Sequence, residues 1–349
     1  MVPEFFRRGG LAAKAGTRWE IPVAVLAICL SASTFVQAEQ SDDSPLLQIH
    51  SQHAFNAIFG LPGAAARPVQ SREWQLSLEH SNQFIGSMAG NEQLRLDGET
   101  SELTFRHRQR LMSCWQGELL VPFIQHSGGL FDRAIDDWHQ FFGLPDANRS
   151  NVPFDELTYS YVGESGQQVQ VDVPESGLGD IQLSVQRSLG CQATADSTAS
   201  EAIVRVGIKL PTGSLSELRG SGKPDAYVDI QSPIWSLGER WRGGMSAGLL
   251  AVGQSSRLAP QRSVVGFGAL GIQYILQHRY RLLLQVDWHT PFYDSALAEL
   301  SDATVVMSGG VRYLMRGNQS FEFSIAEDIA VDTAPDIVAR LAWVFRPSR

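Results

Sequence analysis

Residues 264–292 read VVGFGALGIQYILQHRYRLLLQVDWHTPF, and their apolar and polar side chains alternate with a period of two. In the second half, one face carries Tyr280, Leu282, Leu284, Val286 and Trp288, and the other carries Arg281, Leu283, Gln285, Asp287 and His289. This alternation indicates a β-strand with one apolar and one polar face. The first half alternates in the same way, and the short connection 277–279 predicts that the two halves form a β-hairpin.

The apolar face of this hairpin has aromatic side chains near its ends, at Tyr274, Tyr280 and Trp288, with aliphatic residues between them. Such rings prefer the bilayer interface, so the arrangement is typical of a lipid-facing strand in a transmembrane β-barrel. A hairpin of a soluble β-sandwich with one buried face would show the same alternation. The rest of the chain has to separate these two interpretations.

The first 38 residues have the order of a secretory signal peptide. A basic region with Arg7, Arg8, Lys14 and Arg18 precedes the apolar run 21–30, and Val36-Gln37-Ala38 offers small residues for cleavage before Glu39. The apolar run is shorter than the ~20 residues that a membrane-spanning helix needs. We therefore expect residues 1–38 to be removed on export.

The remaining chain contains no apolar run of ~18 residues, which argues against a helical membrane protein. A β-barrel remains compatible, since each strand crosses the bilayer with only ~9–11 residues. The whole chain carries a net charge of -9 and residues 1–38 carry +2, so residues 39–349 carry −11. This acidic balance argues against nucleic acid as a partner.

Two cysteines, Cys114 and Cys191, follow the signal segment, and their spacing does not suggest a metal site. In an oxidising compartment they are candidates for a disulfide. Both fall in turns that follow even-numbered strands in the predicted order. We therefore expect them on the same rim of a barrel, the periplasmic one.

The chain divides into a signal peptide, 1–38, an N-terminal arm, 39–70, and a barrel domain, 71–349. The arm has four apolar anchors, Phe55, Ile58, Phe59 and Leu61, and predicts a short helical turn packed at the barrel end or inside it. Twelve strands are predicted, at residues 74–79, 92–110, 115–123, 181–186, 203–210, 226–235, 243–252, 264–276, 280–289, 305–313, 321–325 and 337–345. Connections after strands one, three, five, seven and nine are predicted to be long and the others mostly short, which is the outer-membrane pattern.

The final predicted strand places Ala339, Leu341, Trp343 and Phe345 on one face. An aromatic residue ending such a strand resembles the terminal signal that barrel-assembly machinery recognises, although Arg340 stands where a glycine is usual. These features favour an all-β, outer-membrane barrel of a Gram-negative bacterium. Its expected partners are outer-membrane lipid and the assembly machinery.

Several short motifs resemble those of the proteobacterial family catalogued as domain of unknown function 3187. They are Phe59-Gly60-Leu61-Pro62, Leu96-Asp97-Gly98-Glu99, Gly128-Gly129-Leu130-Phe131-Asp132, Trp138-His139 with Phe142-Gly143-Leu144-Pro145 and Arg149, Gly179-Asp180, Leu210-Pro211-Thr212-Gly213, Gly220-Ser221-Gly222, Glu327-Asp328-Ile329 and Ala334-Pro335-Asp336. The resemblance covers about residues 46–345. It implies an outer-membrane-type barrel and no assigned activity.

The polar faces of the predicted strands supply candidate lumen residues. They are Glu102, Arg106, Arg108, Glu118, Arg281, Asp287, His289, Glu322 and Asp328. One interpretation is a charged lumen that conducts or selects small polar solutes, as a pore or transporter does. The other is a plugged or narrow barrel in which these charges pair with each other, because twelve strands allow either arrangement.

The longest external loop, 125–177, carries a predicted helix over 132–142 and a predicted hairpin over 157–173. Ile135, Trp138 and Phe142 share one helical face. We expect this face to fold over the barrel mouth or into its lumen and constrict it, with Asp132, Asp136 and Asp137 favouring cations. The alternative is that the loop packs on neighbouring loops as a structural lid. His139 and Arg149 complete the candidate constriction residues.

Enzymatic and metal-dependent functions have weaker support. An outer-membrane lipid hydrolase would need a serine and a histidine close together, and His126, His139 and His289 have Ser127 and Asp287 nearby in sequence, without a nucleophile-elbow motif. The sequence Gly220-Ser221-Gly222-Lys223 is followed by Pro224, so it is not a phosphate-binding loop. No metal or cofactor is predicted. A pore or transporter is the leading prediction, a structural or surface-interaction barrel the alternative and a hydrolase the third.

Overall fold

The computed structural model describes residues 44–49, 52–129, 155–191, 201–329 and 333–347. Within these residues the chain forms a closed barrel of twelve antiparallel strands, which confirms the predicted fold. The wall strands are β1 (Arg72–Ala89), β2 (Glu92–Met112), β3 (Trp115–Ser127), β7 (Gln182–Ser188), β8 (Ile203–Lys209), β9 (Asp225–Gln231), β11 (Trp241–Ala251), β12 (Val264–Gln277), β13 (Tyr280–His289), β14 (Thr304–Leu314), β15 (Gln319–Asp328) and β16 (Ile337–Phe345). β1 pairs with β16, with Trp74 opposite Phe345, and this pairing closes the barrel.

Four shorter strands extend the wall. β4 (Thr158–Val162) and β5 (Gln168–Val171) form the hairpin predicted over 157–173, and β4 pairs with the first part of β2. β6 (Glu175–Leu178) pairs with β3, and β10 (Trp235–Leu237) pairs with β11. A 3₁₀ turn at Leu215–Glu217 and the helix α1 (Ala298–Ser301) complete the elements. Among the described residues, no helix is long and apolar enough to cross a membrane.

The two ends of the barrel differ in their connections. At one end, called the turn end, short turns join β2 to β3, β12 to β13 and β14 to β15. At the other, called the loop end, the connections between β3 and β7, β8 and β9, β11 and β12, and β13 and β14 are long. The first connection was predicted to be long and is instead the tight turn Gly90-Asn91, because β1 and β2 stay paired up to Ala89 and Glu92.

The hairpin formed by β12 and β13 shows how alternating residues point to opposite faces of the wall. In β13, Leu282 and Leu284 point outward and are 39% and 45% exposed, whereas Leu283 and Gln285 point inward and are 4% and 1% exposed. Aromatic side chains form a band around the outside near the turn end, with Trp241 packed on Tyr274 and Tyr280 packed on Tyr313. This band and the aliphatic zone beside it match a lipid-facing surface.

The N-terminal arm lies inside the barrel, where its described residues 44–49 and 52–69 are nearly all buried. We call residues 44–69 the plug. Its path follows from its contacts: Ser44 lies beside Arg312 near the turn end, Gly60 beside Asp225 at the loop end, and Val69 beside Gln116 near the turn end again. The plug therefore ascends through the lumen, reverses near the loop end and descends to the start of β1.

Cys114 and Cys191 form a disulfide with their Cα atoms 5.7 Å apart. Cys114 lies in the turn between β2 and β3, and Cys191 follows β7, so both lie at the turn end. The bond joins two connections that are neighbours around the rim because β3 pairs with β7.

Candidate functional site: the plugged lumen

Four glutamine side chains on the inner wall bind the backbone of the plug. Gln285 accepts a hydrogen bond of 2.7 Å from the Leu47 N–H and donates one of 3.3 Å to the Leu47 carbonyl. Gln83 makes the same kind of paired contact with the Ala54 N–H and the Gln52 carbonyl, at 2.9 and 3.2 Å. A primary amide carries a donor and an acceptor side by side, so it can satisfy a buried chain that has no neighbouring strand.

The descending part of the plug is bound in the same way by single contacts. Gln186 donates to the Ala66 carbonyl at 2.8 Å, and Gln116 accepts from the Val69 N–H at 3.1 Å. These four glutamines stand on β13, β1, β7 and β3, so the plug is attached around much of the wall.

Arginine side chains add charge-assisted hydrogen bonds to plug carbonyls. Arg312 donates to the Ser44 carbonyl at 2.7 Å, Arg205 to that of Gly63 at 2.6 Å, and Arg108 to that of Arg67 at 3.0 Å. Arg106 donates to the side-chain oxygen of Gln48. Bonds from a cationic donor are stronger than neutral ones, so these contacts hold the plug firmly.

Arginines of the inner wall also pair with carboxylates of the wall. Glu322 forms salt bridges with Arg340 through one carboxylate oxygen and with Arg312 through the other, each at 2.6 Å. Arg340 also forms a salt bridge of 3.0 Å with Glu79. Arg205 pairs with Asp229 at 2.8 Å, and Arg108 pairs with Glu73. These pairs lie entirely on the barrel wall, and their charges remain compensated whatever the position of the plug.

The apex of the plug is held by a cluster around Lys209, which is 1% exposed. Its ammonium lies 3.3 Å from Asp225 Oδ2, contacts Asp180, and donates to the Ser221 hydroxyl at 2.7 Å and the Ile58 carbonyl at 3.2 Å. From the plug, the Gly60 N–H donates a hydrogen bond of 2.9 Å to Asp225. Four of the short motifs, 59–62, 179–180, 210–213 and 220–222, meet here.

Apolar residues close the loop end above this cluster. Phe59 stacks on Phe292 with ring centroids 4.7 Å apart and packs against Tyr293 at 5.7 Å. Tyr293 also donates to the Phe55 carbonyl at 2.6 Å. The hairpin β4–β5 contributes Tyr159, Tyr161 and Val171 to the same buried cluster. The lumen is thus sealed by apolar packing at the loop end and by polar contacts below it.

His53 is a plug residue buried among these groups, and neither ring nitrogen has a hydrogen-bond partner. Burial, and next the neighbouring His289, lower the pKa of His53 to about 3. The ring is therefore neutral at neutral pH, and protonating it inside the barrel is costly.

The nine candidate lumen residues all lie on inward-facing positions of their strands. Arg106 and Arg108 bind the plug, Glu322 pairs with two arginines, and Thr104 donates to Glu102 at 2.6 Å. Glu118 interacts electrostatically with Arg106, Arg205 and Arg108. Arg281 donates to the Gln277 carbonyl at 2.9 Å, and Asp328 accepts from Thr333 N–H and Ala334 N–H, both at 2.9 Å, so these two hold connections at the two ends.

Within the described residues the structure matches the second interpretation: the plug occupies the lumen, and candidate residues such as Arg108 and Glu322 pair with wall charges. The candidate constriction residues Asp132, Asp136, Asp137, Trp138, His139, Phe142 and Arg149 lie outside the described residues. Sequence reasoning missed the four glutamines and the Lys209 cluster. The sequence contained a signal for the Lys209 cluster. Lys209 lies four residues after Arg205 on the inward face of the same strand, and Asp180 belongs to the motif Gly179-Asp180.

The histidines considered for hydrolysis are not arranged for it in the described part of the chain. His126 contacts Thr100 at 2.9 Å through Nδ1 and the Leu218 carbonyl at 3.3 Å through Nε2, so both nitrogens are occupied. His289 directs Nδ1 at the Thr290 carbonyl at 2.9 Å and not at Asp287. The described residues also contain no group of three or more His, Cys, Asp or Glu side chains that could hold a metal ion.

The fold resembles solved outer-membrane channels. The crystal structure of the COG4313 outer membrane channel from Pseudomonas putida F1 aligns with a TM-score of 0.51 at 14% identity, over 80% of this chain and 96% of that one. The CymD monoaromatic hydrocarbon channel aligns with a TM-score of 0.40 at 10% identity, over 88% and 95% of the two chains. The NanC porin gives 0.40 at 9% identity, over 78% and 98%. The first of these alignments shows that the two proteins share a fold, and it shows nothing about function.

A comparison with curated proteins gave no match. A family model described as "Protein of unknown function (DUF3187)" matches residues 21–346. That match spans nearly the whole chain and agrees with the resemblance seen in the short motifs. The chain therefore belongs to the DUF3187 family.

Proposed function

We propose that this protein is an outer-membrane channel that is closed at rest by residues 44–69 and conducts small polar solutes when they are displaced. The observation that carries the proposal is the way the plug is held. Wall side chains, chiefly glutamines and arginines, bind its backbone at Ser44, Leu47, Ala54, Gly63 and Ala66. A segment held by polar side chains can exchange those contacts for water.

The wall behind the plug supports conduction. Its inward charges are compensated in pairs such as Arg340 with Glu79 and Arg205 with Asp229. Withdrawal of the plug would therefore leave a polar, hydrated lumen in which these pairs are still formed. Twelve strands enclose a narrow interior, which limits passage to small solutes. A barrel with a purely structural role would be more stable with an apolar interior, because buried ion pairs add little to stability.

The proposed location is the outer membrane, reached after cleavage of residues 1–38. The outward aliphatic surface and the aromatic band near the turn end support this placement. Fractionation with the outer membrane, together with a different gel mobility of boiled and unboiled samples, would test it. Recovery of the mature protein in the soluble periplasmic fraction would contradict it.

The channel proposal is tested by comparing the refolded mature barrel with a variant lacking residues 44–69 in planar bilayers. The intact protein should show rare, small openings, and the variant should show sustained conductance. Gel mobility and circular dichroism must first show that the variant assembles. An assembled variant that does not conduct would favour the alternative of a structural or surface-interaction barrel.

A further inference from the structure

The turn end of the barrel carries a row of arginine side chains, which we call the arginine rim. It consists of exposed or half-exposed residues in or next to the connections at that end: Arg72, Arg110, Arg187, Arg240, Arg279 and Arg316. In the described part of these connections the only acidic residues are Glu201 and Glu239. None of the rim arginines forms a salt bridge with a described residue. Their charges are therefore available to a partner outside the protein.

The loop end has the opposite balance of charge. Its exposed and half-exposed acidic residues include Asp155, Glu156, Glu164, Asp172, Glu175, Glu217, Asp294, Glu299, Asp302 and Glu327, and its basic ones are fewer and include Arg95, Arg219, Lys223, Arg257 and Arg262. The whole chain is acidic, with a net charge of -9. The arginine rim thus departs from the overall composition, which indicates a local role at the turn end.

The rim extends around much of the barrel. Arg240, Arg279 and Arg316 lie in the connections β10–β11, β12–β13 and β14–β15, which follow one another because β11 pairs with β12 and β13 pairs with β14. β15 pairs with β16 and β16 with β1, where Arg72 continues the row, and Arg110 lies on the adjacent strand β2. A flat negatively charged surface could therefore contact several of these side chains at once.

Two contacts place rim arginines at the level of the aromatic side chains near the turn end. The guanidinium of Arg187, on β7, lies over the ring of Trp115, 5.4 Å from its centroid. Arg240 donates a hydrogen bond of 3.1 Å to the hydroxyl of Tyr274. Trp and Tyr rings at the end of a lipid-facing surface lie at the membrane interface. The charged groups beside them therefore lie at the depth of the lipid headgroups.

At this depth the group that arginine side chains recognise is the phosphate of a phospholipid. A guanidinium has a planar set of N–H donors that can bind two phosphate oxygens at once, and it keeps its charge at neutral pH. Basic residues near a membrane surface are attracted to lipids with a net negative headgroup. A zwitterionic lipid is less favourable, because its own cationic group meets a rim that has few carboxylates.

We propose that the arginine rim binds the phosphate groups of anionic phospholipids in the periplasmic leaflet of the outer membrane. The inference rests on the proposed placement in that membrane and does not depend on conduction. It assigns a headgroup charge and a place on the barrel to the lipid that is expected as a partner.

The test measures how strongly brominated lipids quench the tryptophan fluorescence of the refolded mature protein in phosphatidylcholine vesicles. One series adds brominated phosphatidylglycerol and the other adds brominated phosphatidylcholine, so the two quenching curves give the relative affinity for the anionic lipid. We expect a preference of at least about 3-fold for phosphatidylglycerol, since several arginines lie close to the headgroups. High salt should reduce this preference, because it screens exposed charges.

The variant Arg240→Gln/Arg279→Gln/Arg316→Gln removes three charges from successive connections of the rim. It should lose most of the preference for phosphatidylglycerol. Different gel mobilities of boiled and unboiled samples must first show that the variant is folded in the vesicles.

The matched control is Arg95→Gln/Lys223→Gln/Arg257→Gln, which removes the same number of exposed charges at the loop end. It changes the net charge of the protein by the same amount and should leave the preference unchanged. The comparison therefore separates the position of the charges from their number.

The proposal is overturned if the wild type binds both lipids equally, or if high salt leaves its preference intact. It is also overturned if the rim variant keeps the preference, or if the control loses as much of it as the rim variant does. Lipid binding is measured on the closed barrel without any current. A barrel that prefers the anionic lipid but never conducts would overturn the channel and keep the rim, and a barrel that conducts without this preference would do the reverse.

Discussion

The ammonium of Lys209, on the barrel wall, donates a hydrogen bond of 3.2 Å to the backbone carbonyl of Ile58, at the apex of the plug. The same ammonium lies between the carboxylates of Asp180 and Asp225. One side chain therefore interacts with two buried carboxylates and fixes the point where the plug reverses direction.

Replacing this lysine should release the apex. In Lys209→Met both carboxylates lose their counter-ion, and breaking a buried ion pair from one side costs about 3–5 kcal/mol. We expect chymotrypsin to cut after Phe59, which is 2% exposed in the closed barrel. Mass spectrometry of the fragments reports the cleavage. Lys223→Met, in an exposed residue of the same region, should stay protected, and equal protection of both variants would contradict the assigned role of Lys209.

The paired contact of Gln285 should matter for the ascending half of the plug. Gln285→Leu removes both hydrogen bonds to Leu47, at about 1 kcal/mol each, and leaves its backbone groups without those partners. Amide hydrogen exchange at Leu47 should accelerate by at least tenfold. Gln170→Leu, on the exposed face of β5, is the control and should leave this exchange rate unchanged. An unaltered rate in Gln285→Leu would show that other contacts determine the protection.

The disulfide should stabilise the barrel against unfolding. It closes a segment of 77 residues, and cross-links of this kind contribute about 2–4 kcal/mol. Reduction should therefore lower the urea midpoint of the wild type. The double variant Cys114→Ser/Cys191→Ser should start at the lower midpoint and show no response to reductant. A wild type with the same midpoint in both conditions would contradict this contribution.

His53 should make closure of the plug depend on pH. Its pKa is lowered to about 3 in the closed state and returns towards 6.5 when the plug is released, so the released state binds more protons between these values. Closure is thus fully stable above about pH 6.5 and weakens as the pH falls, by about 3 kcal/mol at pH 4.5. Openings should become more frequent on going from pH 7 to 4.5.

His53→Leu removes the titrating group and keeps an apolar side chain in its place. The variant should show a smaller increase in opening frequency over the same pH range, measured in the same bilayers. If the wild type and His53→Leu show the same increase in opening frequency, carboxylates of the lumen and not His53 control how the plug closes the barrel.

The barrel could be predicted from the sequence, because alternation with a period of two reports which face of a strand each side chain occupies. It placed Leu282 and Leu284 outside and Gln285 inside, and it predicted the twelve wall strands in their order. Aromatic positions such as Tyr274 and Tyr280 indicated the membrane interface. These features depend on neighbouring residues, so a local pattern is sufficient to recover them.

The contacts of the inward side chains could not be predicted in this way, because their partners are distant in the chain. Gln285 and Leu47 are 238 residues apart, and Lys209 and Ile58 are 151 apart. The polar face of a strand is the same whether it meets water, another charge or a plug, because alternation carries no information about the contents of the lumen. Closure of the barrel brings β8, β13 and the N-terminal arm together, and this long-range packing determines that the inner wall binds a segment of its own chain.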